Sequence, residues 1–199
     1  MLGDKLEIII HRVNTIDELR DIPKEYGAEI DIRAFGSNLI LNHEAFQTGE
    51  RFEDYLAEYA HGTLILNIKE AGIEDEVLRQ VRLHHQIKSY FLLDVEFPYL
   101  YRASRNGESS IAVRFSEDES IETVEKYVDM VDWIWIDTNT KLPLDKNNIP
   151  IINKMKNCLV CPEHWGRPLD IEIYKKILHD LDFNLDAVMT SMPYVSKWL

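Results

Sequence analysis

The sequence reads as an α/β protein, a compact (β/α)8 TIM barrel in one domain over residues 1–199 with a small hairpin insertion after its second strand. Three observations point there. Short runs rich in Ile, Val, Leu and aromatics alternate with helix-patterned segments eight times along the chain, the rhythm of parallel βα units. The 199 residues sit at the short end of the barrel range, roughly 200. Polar residues recur at alternating positions near the C-terminal ends of those runs, where a barrel forms its catalytic mouth. A doubly wound open sheet is the rival arrangement, but no GxGxxG or Walker-A sequence supports it.

The first strand is expected over 7–13, followed by a helix over 15–22. The second strand, 28–34, leads into the insertion at 35–51, where AFGSNLILNHE has the pattern of a hairpin. A helix over 52–60 precedes strand 62–69. The helix over 73–87 has the clearest period, with Ile73, Val77, Val81 and Leu83 near helical spacing and acidic residues early, on the favourable side of the helix dipole. Then come strand 89–96, helix 97–104, strand 110–116, helix 120–130, strand 132–138, helix 146–156, strand 158–162, helix 170–181, strand 187–191 and a terminal helix 193–199.

Hydrophobic residues make up 45% of the chain and charged ones 29%, an ordinary balance for a globular core. The net charge of −13 argues against nucleic-acid or anionic-membrane partners, which call for basic patches. The N-terminus meets Asp4, Lys5 and Glu7 before any long apolar run, so it does not read as a signal peptide. No run approaches the ~20 apolar residues of a membrane span. Two cysteines, Cys158 and Cys161, make no disulfide framework. The expected setting is the cytoplasm.

Alternation along the second strand puts Glu29, Asp31 and Arg33 on one face and Ile30 and Ile32 on the other. The same reading gives Asn67 and Lys69, Asp94 and Glu96, Arg114 and Ser116, and Asp137 on later strands. Buried charges must be paired or metal-bound. His11 and Arg12 end the first strand, and His43 follows the hairpin run LILN. Two histidines, two carboxylates, arginines and a lysine are the parts needed for metal-assisted work on a phosphate ester. A hard cation, Arg and Lys neutralise the anionic oxygens, and imidazoles move protons near neutral pH.

In this order the residues resemble the glycerophosphodiester phosphodiesterase family, within the wider phosphatidylinositol-phospholipase-like barrels. The matching pieces are His11-Arg12, Glu29-x-Asp31 after Gly27-Ala28, Leu-Ile-Leu-Asn-His43-Glu, Asn67-Ile-Lys69, and Asp186-Ala-Val-Met-Thr-Ser-Met-Pro193. The resemblance implies a TIM barrel, with His11 and His43 as acid/base pair and Arg12 bracing the phosphate. It implies that Glu29 and Asp31 hold one divalent cation, Mg2+ or Ca2+, that Asn67 stands at the third ligand position, and that Lys69 contacts phosphate. The attacking group in the family is commonly a neighbouring substrate hydroxyl, giving a cyclic phosphate that water then opens.

The chain departs from the family pattern in four places. Val13 replaces the Gly after His-Arg, and Asn14-Thr15 is what remains of a Pro-Glu-Asn-Thr segment. Asn67 stands for the Glu of Glu-x-Lys, and Glu44 for the Asp after the second histidine. Asn67 can offer an amide oxygen without charge, or Asp94 or Glu96 can replace the missing carboxylate.

Blander readings stand beside these. Glu29 and Asp31 can form a salt-bridge network with Arg33, Arg114 and Lys69; His43 can be an exposed hairpin histidine. Arg114 is expected to bind substrate phosphate and Trp135 to wall the pocket, although core packing suits Trp135 better. Glu163, His164 and Trp165 either touch substrate or cap the strand before them. Cys158-x-x-Cys161-x-x-His164 is no zinc motif, because strand residues three apart face opposite ways and no fourth ligand is evident. His84 and His85, in the middle of a charged helix, and His61 and His179 are expected on the surface.

The leading expectation is metal-dependent hydrolysis of a small glycerophosphodiester-like substrate. The alternatives are a lyase that stops at the cyclic phosphate, and a degenerate barrel that binds a phosphorylated ligand without turnover. The oligomeric state is not legible in the sequence.

Overall fold

The computed structural model describes residues 6–199; Asp4 and Lys5, named in the reading of the N-terminus, lie outside the described residues. Two compact units divide the chain, Ile9–Arg102 on one side and Met1–Ile8 with Ala103–Leu199 on the other.

In the unit Ile9–Arg102 the long strand β2 (Gly27–Phe35) is the centre. It runs parallel to the end of β1 (Glu7–Ile10) through Ile9↔Gly27 and Ile10↔Ala28. It is also parallel to β5 (Leu64–Ile68), with Asp31 opposite Asn67, and β5 in turn pairs with β6 (Tyr90–Leu93). Gly27 is required by close approach: a Cβ there would lie 2.2 Å from the Thr63 carbonyl oxygen. Past Asp31 the strand turns back on itself as the expected hairpin. β3 (Asn38–Leu41) pairs antiparallel through a two-residue turn with Gly36 at φ 62, and β4 (Glu50–Arg51) pairs with β3.

Helices cover this sheet. α1 (Ile16–Asp21) starts at a reciprocal cap in which Thr15 accepts from the Glu18 amide and Glu18 accepts from the Thr15 amide. α2 (Phe52–Glu58) buries Phe52, Tyr55 and Leu56, and α3 (Glu74–Leu83) buries Val77, Leu78 and Val81. α3 is shorter than expected. Leu83 is exposed, and after a turn at His84 it is Ile87 that is buried. His84 and His85 therefore follow the helix rather than sit within it. α4 (Phe97–Arg105) forms as expected and crosses the boundary between the units.

In the other unit β7 (Ala112–Phe115), β8 (Trp133–Ile136), β9 (Lys156–Val160) and β10 (Ala187–Thr190) pair in parallel in sequence order. Glu7 donates its amide to the Asp186 carbonyl at 2.9 Å. The helices here are α5 (Ile121–Glu125), α6 (Ile149–Ile152), α7 (Asp170–Asp180) and α8 (Val195–Trp198). The helix expected over 146–156 is cut down at both ends. Asp145 caps the amides of Asn147 and Asn148, and Lys156 is drawn into β9 by the Asp132 carbonyl.

All eight expected strands form, so the α/β class with parallel βα units holds. Among the described residues β6 pairs with β5 in one unit, and β7 pairs with β8 in the other. No helix among the described residues is long and apolar enough to cross a membrane.

Candidate active site

Glu29 and Asp31 leave β2 on one face, and each is 1% exposed. Burial and the neighbouring Asp31 push the Glu29 carboxyl up to about 7. Three neighbours work the other way: the Asn67 amide donates to Glu29 Oε1 at 2.8 Å, the Arg12 backbone N–H to Oε2 at 2.8 Å, and Lys69 adds a positive charge. His11 Nε2 lies 3.9 Å from Glu29 Oε2, within ion-pair range.

Asp31 is clamped by Asn14, whose Nδ2 donates to Oδ2 and whose Oδ1 accepts from the Asp31 amide, both at 2.8 Å. Lys69 Nζ stands 3.0 Å from Asp31 Oδ1 without the alignment of a hydrogen bond. Asn14 comes from the turn before α1, so the shortened segment still delivers one side chain to the site. Arg12 takes a left-handed φ of 55 so that its amide can face Glu29. Val13 has no such angle and is buried in the core, which is why a residue other than glycine is accepted there.

Two buried acceptors in this cluster lie outside any hydrogen bond: Asn67 Oδ1, and Asp31 Oδ1, whose neighbour is the Lys69 ammonium at 3.0 Å. A buried acceptor of this kind is suited to a water or an ion. With Glu29 they make a hard oxygen set that fits Mg2+ or Ca2+. Among the described residues no three His, Cys, Asp or Glu side chains come together as a ligand set; the third oxygen is that of Asn67. Asp94 and Glu96, considered as replacements for the missing carboxylate, lie exposed beyond the end of β6.

His43 sits just past the end of β3. Its Nδ1 is 2.7 Å from Glu44 Oε1, a contact that holds the Glu44 carboxyl below its usual range. Its carbonyl accepts from Arg33 Nε and Nη2 at 3.2 and 2.9 Å, and Arg33 Nη1 donates to the Lys69 carbonyl at 3.3 Å. The sequence placed Arg33 on the correct face but gave no sign of these partners, because backbone carbonyls leave no signature in a sequence. The clamp by Asn14 was missed too, although the Thr15-x-x-Glu18 cap beside it was readable.

Arg114 and Trp135 belong to the other unit. There the Arg114 guanidinium donates to Glu119 at 2.9 Å and to Asp137, so its charge is matched by two carboxylates. Trp135 is buried in β8. Asp137 also accepts from the Trp165 indole at 3.1 Å, and Glu163 accepts from the Ser191 amide and hydroxyl and the Thr190 hydroxyl. Glu163 thus caps the end of β10. Cys158 and Cys161 are both buried, with the Cys161 thiol pushed up to about 12 mainly by burial. His61 is half-buried against the Ile22 carbonyl rather than free on the surface, and His179 is exposed.

The chain matches the crystal structure of a protein assigned as a glycerophosphoryl diester phosphodiesterase from Agrobacterium tumefaciens strain C58. The TM-score is 0.66 at 11% identity, over 98% of this chain and 96% of that one. A glycerophosphodiester phosphodiesterase from the same strain matches at a TM-score of 0.63 and 13% identity, over 93% and 96%. No family model and no curated protein matches the sequence. At these identities the likeness is one of fold, and it falls on structures of the family that the motifs resemble.

Proposed function

We propose that the protein is a phosphoric diester hydrolase, a single (β/α)8-barrel domain that hydrolyses a small glycerophosphodiester-like substrate with one divalent cation, Mg2+ or Ca2+. The observation that carries this reading is the buried oxygen cluster of Glu29, Asp31 and Asn67, in which Asn67 Oδ1 has no donor and Asp31 Oδ1 meets only the Lys69 ammonium. A histidine, a lysine and an arginine amide surround the same carboxylates. The fold shared with the two Agrobacterium structures supports it.

Glu29, Asp31 and Asn67 would hold the cation, whose charge offsets that of the phosphoryl oxygens and makes phosphorus more electrophilic. Lys69, next to Asp31, binds one phosphate oxygen; Arg12, exposed beside His11, braces another. One imidazole takes the proton from the attacking hydroxyl as the new P–O bond forms. The other gives a proton to the leaving alkoxide as the old P–O bond breaks. With Nδ1 of His43 on Glu44, its Nε2 is the atom left for proton transfer. Where a substrate hydroxyl attacks, the product is a cyclic phosphate, and water opens it with the two imidazole roles reversed.

The test is release of alcohol from a phosphodiester panel with Mg2+, Ca2+ or Mn2+, with and without chelator, beside His11→Ala and His43→Ala. The panel includes glycerophospho-alcohols, lysophospholipids and a chromogenic diester. Metal-dependent turnover lost in either variant is the expected result, and accumulation of a cyclic phosphate identifies a lyase. Phosphate binding with neither turnover nor metal binding would replace this reading with that of a ligand-binding barrel.

A further inference from the structure

Arg33 follows Glu29 and Asp31 at the two-residue period of β2, so its side chain leaves the strand on the face that bears both carboxylates. It is half-buried, and its guanidinium reaches two backbone carbonyls, those of His43 and Lys69. Each acceptor belongs to a residue one or two positions past the end of its strand, β3 at Leu41 and β5 at Ile68. At those positions the regular ladder no longer fixes the chain. The amides before them are still tied to β2, Asn42 to the Asp31 carbonyl and Lys69 to the Ile32 carbonyl. The carbonyls, which set the direction in which the chain and side chain leave, are gripped by Arg33. A planar fork with five N–H groups can take both carbonyls at once; a lysine ammonium cannot match that geometry. The carbonyls are neutral acceptors, and the Arg33 charge adds, behind the His43 contact, to holding the nearby Glu44 carboxyl low.

We propose that Arg33 is a positioning residue that sets His43 and Lys69 at a fixed spacing, so that the proton-transferring imidazole and the phosphate-binding ammonium act on one diester. This rests on the roles given above to His43 and Lys69.

The experiment compares Arg33→Lys and Arg33→Gln with the wild-type chain. It follows the histidine ring and lysine ammonium NMR signals with and without inorganic phosphate, beside turnover of a chromogenic diester. His43 and Lys69 signals are expected to shift and to lose their response to phosphate in both variants, while the exposed His179 does not move. Turnover number is expected to fall about 100-fold, the usual consequence of a misplacement near 1 Å, and added guanidinium ion is expected to restore part of it in Arg33→Gln. Unmoved His43 and Lys69 signals, or turnover within about twofold of wild type, overturn the role. Should Arg33→Gln fail to fold, Arg33→Lys decides, since it keeps the charge and loses only the fork. A wild-type chain inactive on every diester overturns the proposed reaction instead, and the NMR shifts then decide Arg33 alone.

Discussion

Asp31 and Asn67 face each other across the β2–β5 ladder, and each keeps one buried oxygen outside any hydrogen bond, that of Asp31 with Lys69 Nζ 3.0 Å away. The amide nitrogen of Asn67 meanwhile serves Glu29. One side chain thus eases the repulsion between two buried carboxylates, and under the proposed function it would withhold a charge from the cation.

Asn67→Asp separates those two effects. The variant replaces the donor to Glu29 by a third carboxylate oxygen, so the cation-free protein loses stability. Divalent binding tightens at the same time, by about tenfold for a gain of about 1.4 kcal/mol. Calorimetric titration with Mg2+ and Ca2+, beside urea unfolding in chelator, checks both signs. A variant that binds cation no better than wild type would remove Asn67 from the ligand set.

Glu29 gives the protein a pH dependence of unusual sign. Its carboxyl rises from 4.5 to about 7 on folding, so between those values the folded chain holds a proton that the unfolded chain has released. The contribution to stability is full below pH 4.5 and is lost as pH climbs through 7, on the order of 3 kcal/mol in all. Urea unfolding in chelator across this window is expected to show the decline, with Glu29→Gln flattening it. An identical slope in Glu29→Gln would assign the effect elsewhere.

Glu44 is exposed, so its loss should leave the fold alone. Glu44→Ala frees Nδ1 of His43, and a rate loss of up to about 100-fold, the low end for a proton-transfer contribution, is expected with an unchanged melting temperature. Turnover equal to wild type would mean that the contact orients nothing.

Gly27→Ala tests the frame beneath the site. The new methyl meets the Thr63 carbonyl at 2.2 Å, where the Ala28 amide also bonds. The strands must part, at a cost of about 1–3 kcal/mol or more. A urea midpoint equal to that of wild type would show that β2 and β5 can shift freely, and the register that aligns Asp31 with Asn67 would lose its anchor.

The strands were legible because each is a short apolar run, and the face of β2 was legible because side chains alternate. Helix ends were harder to read. Leu83 continues the apolar spacing of α3 yet is exposed, because the chain turns and Ile87 is buried instead. Pairing was the least legible. Arg114 reads from sequence as a phosphate ligand or as part of an ion-pair network with Glu29 and Asp31; its guanidinium meets Glu119 and Asp137, and nothing local says which carboxylate a guanidinium will find. Arg33 shows the same limit, since its acceptors lie 10 and 36 residues away.

The tight turn at Gly36 and Ser37 sets where His43 falls. It works as a ruler: β3 is counted back from it residue by residue, and His43 lies where the count runs out. A protein whose turn grew by one residue could keep every buried side chain of β2 and still present its histidine on the wrong side of the strand. Loop length here would belong to the proposed chemistry as much as any titrating group does.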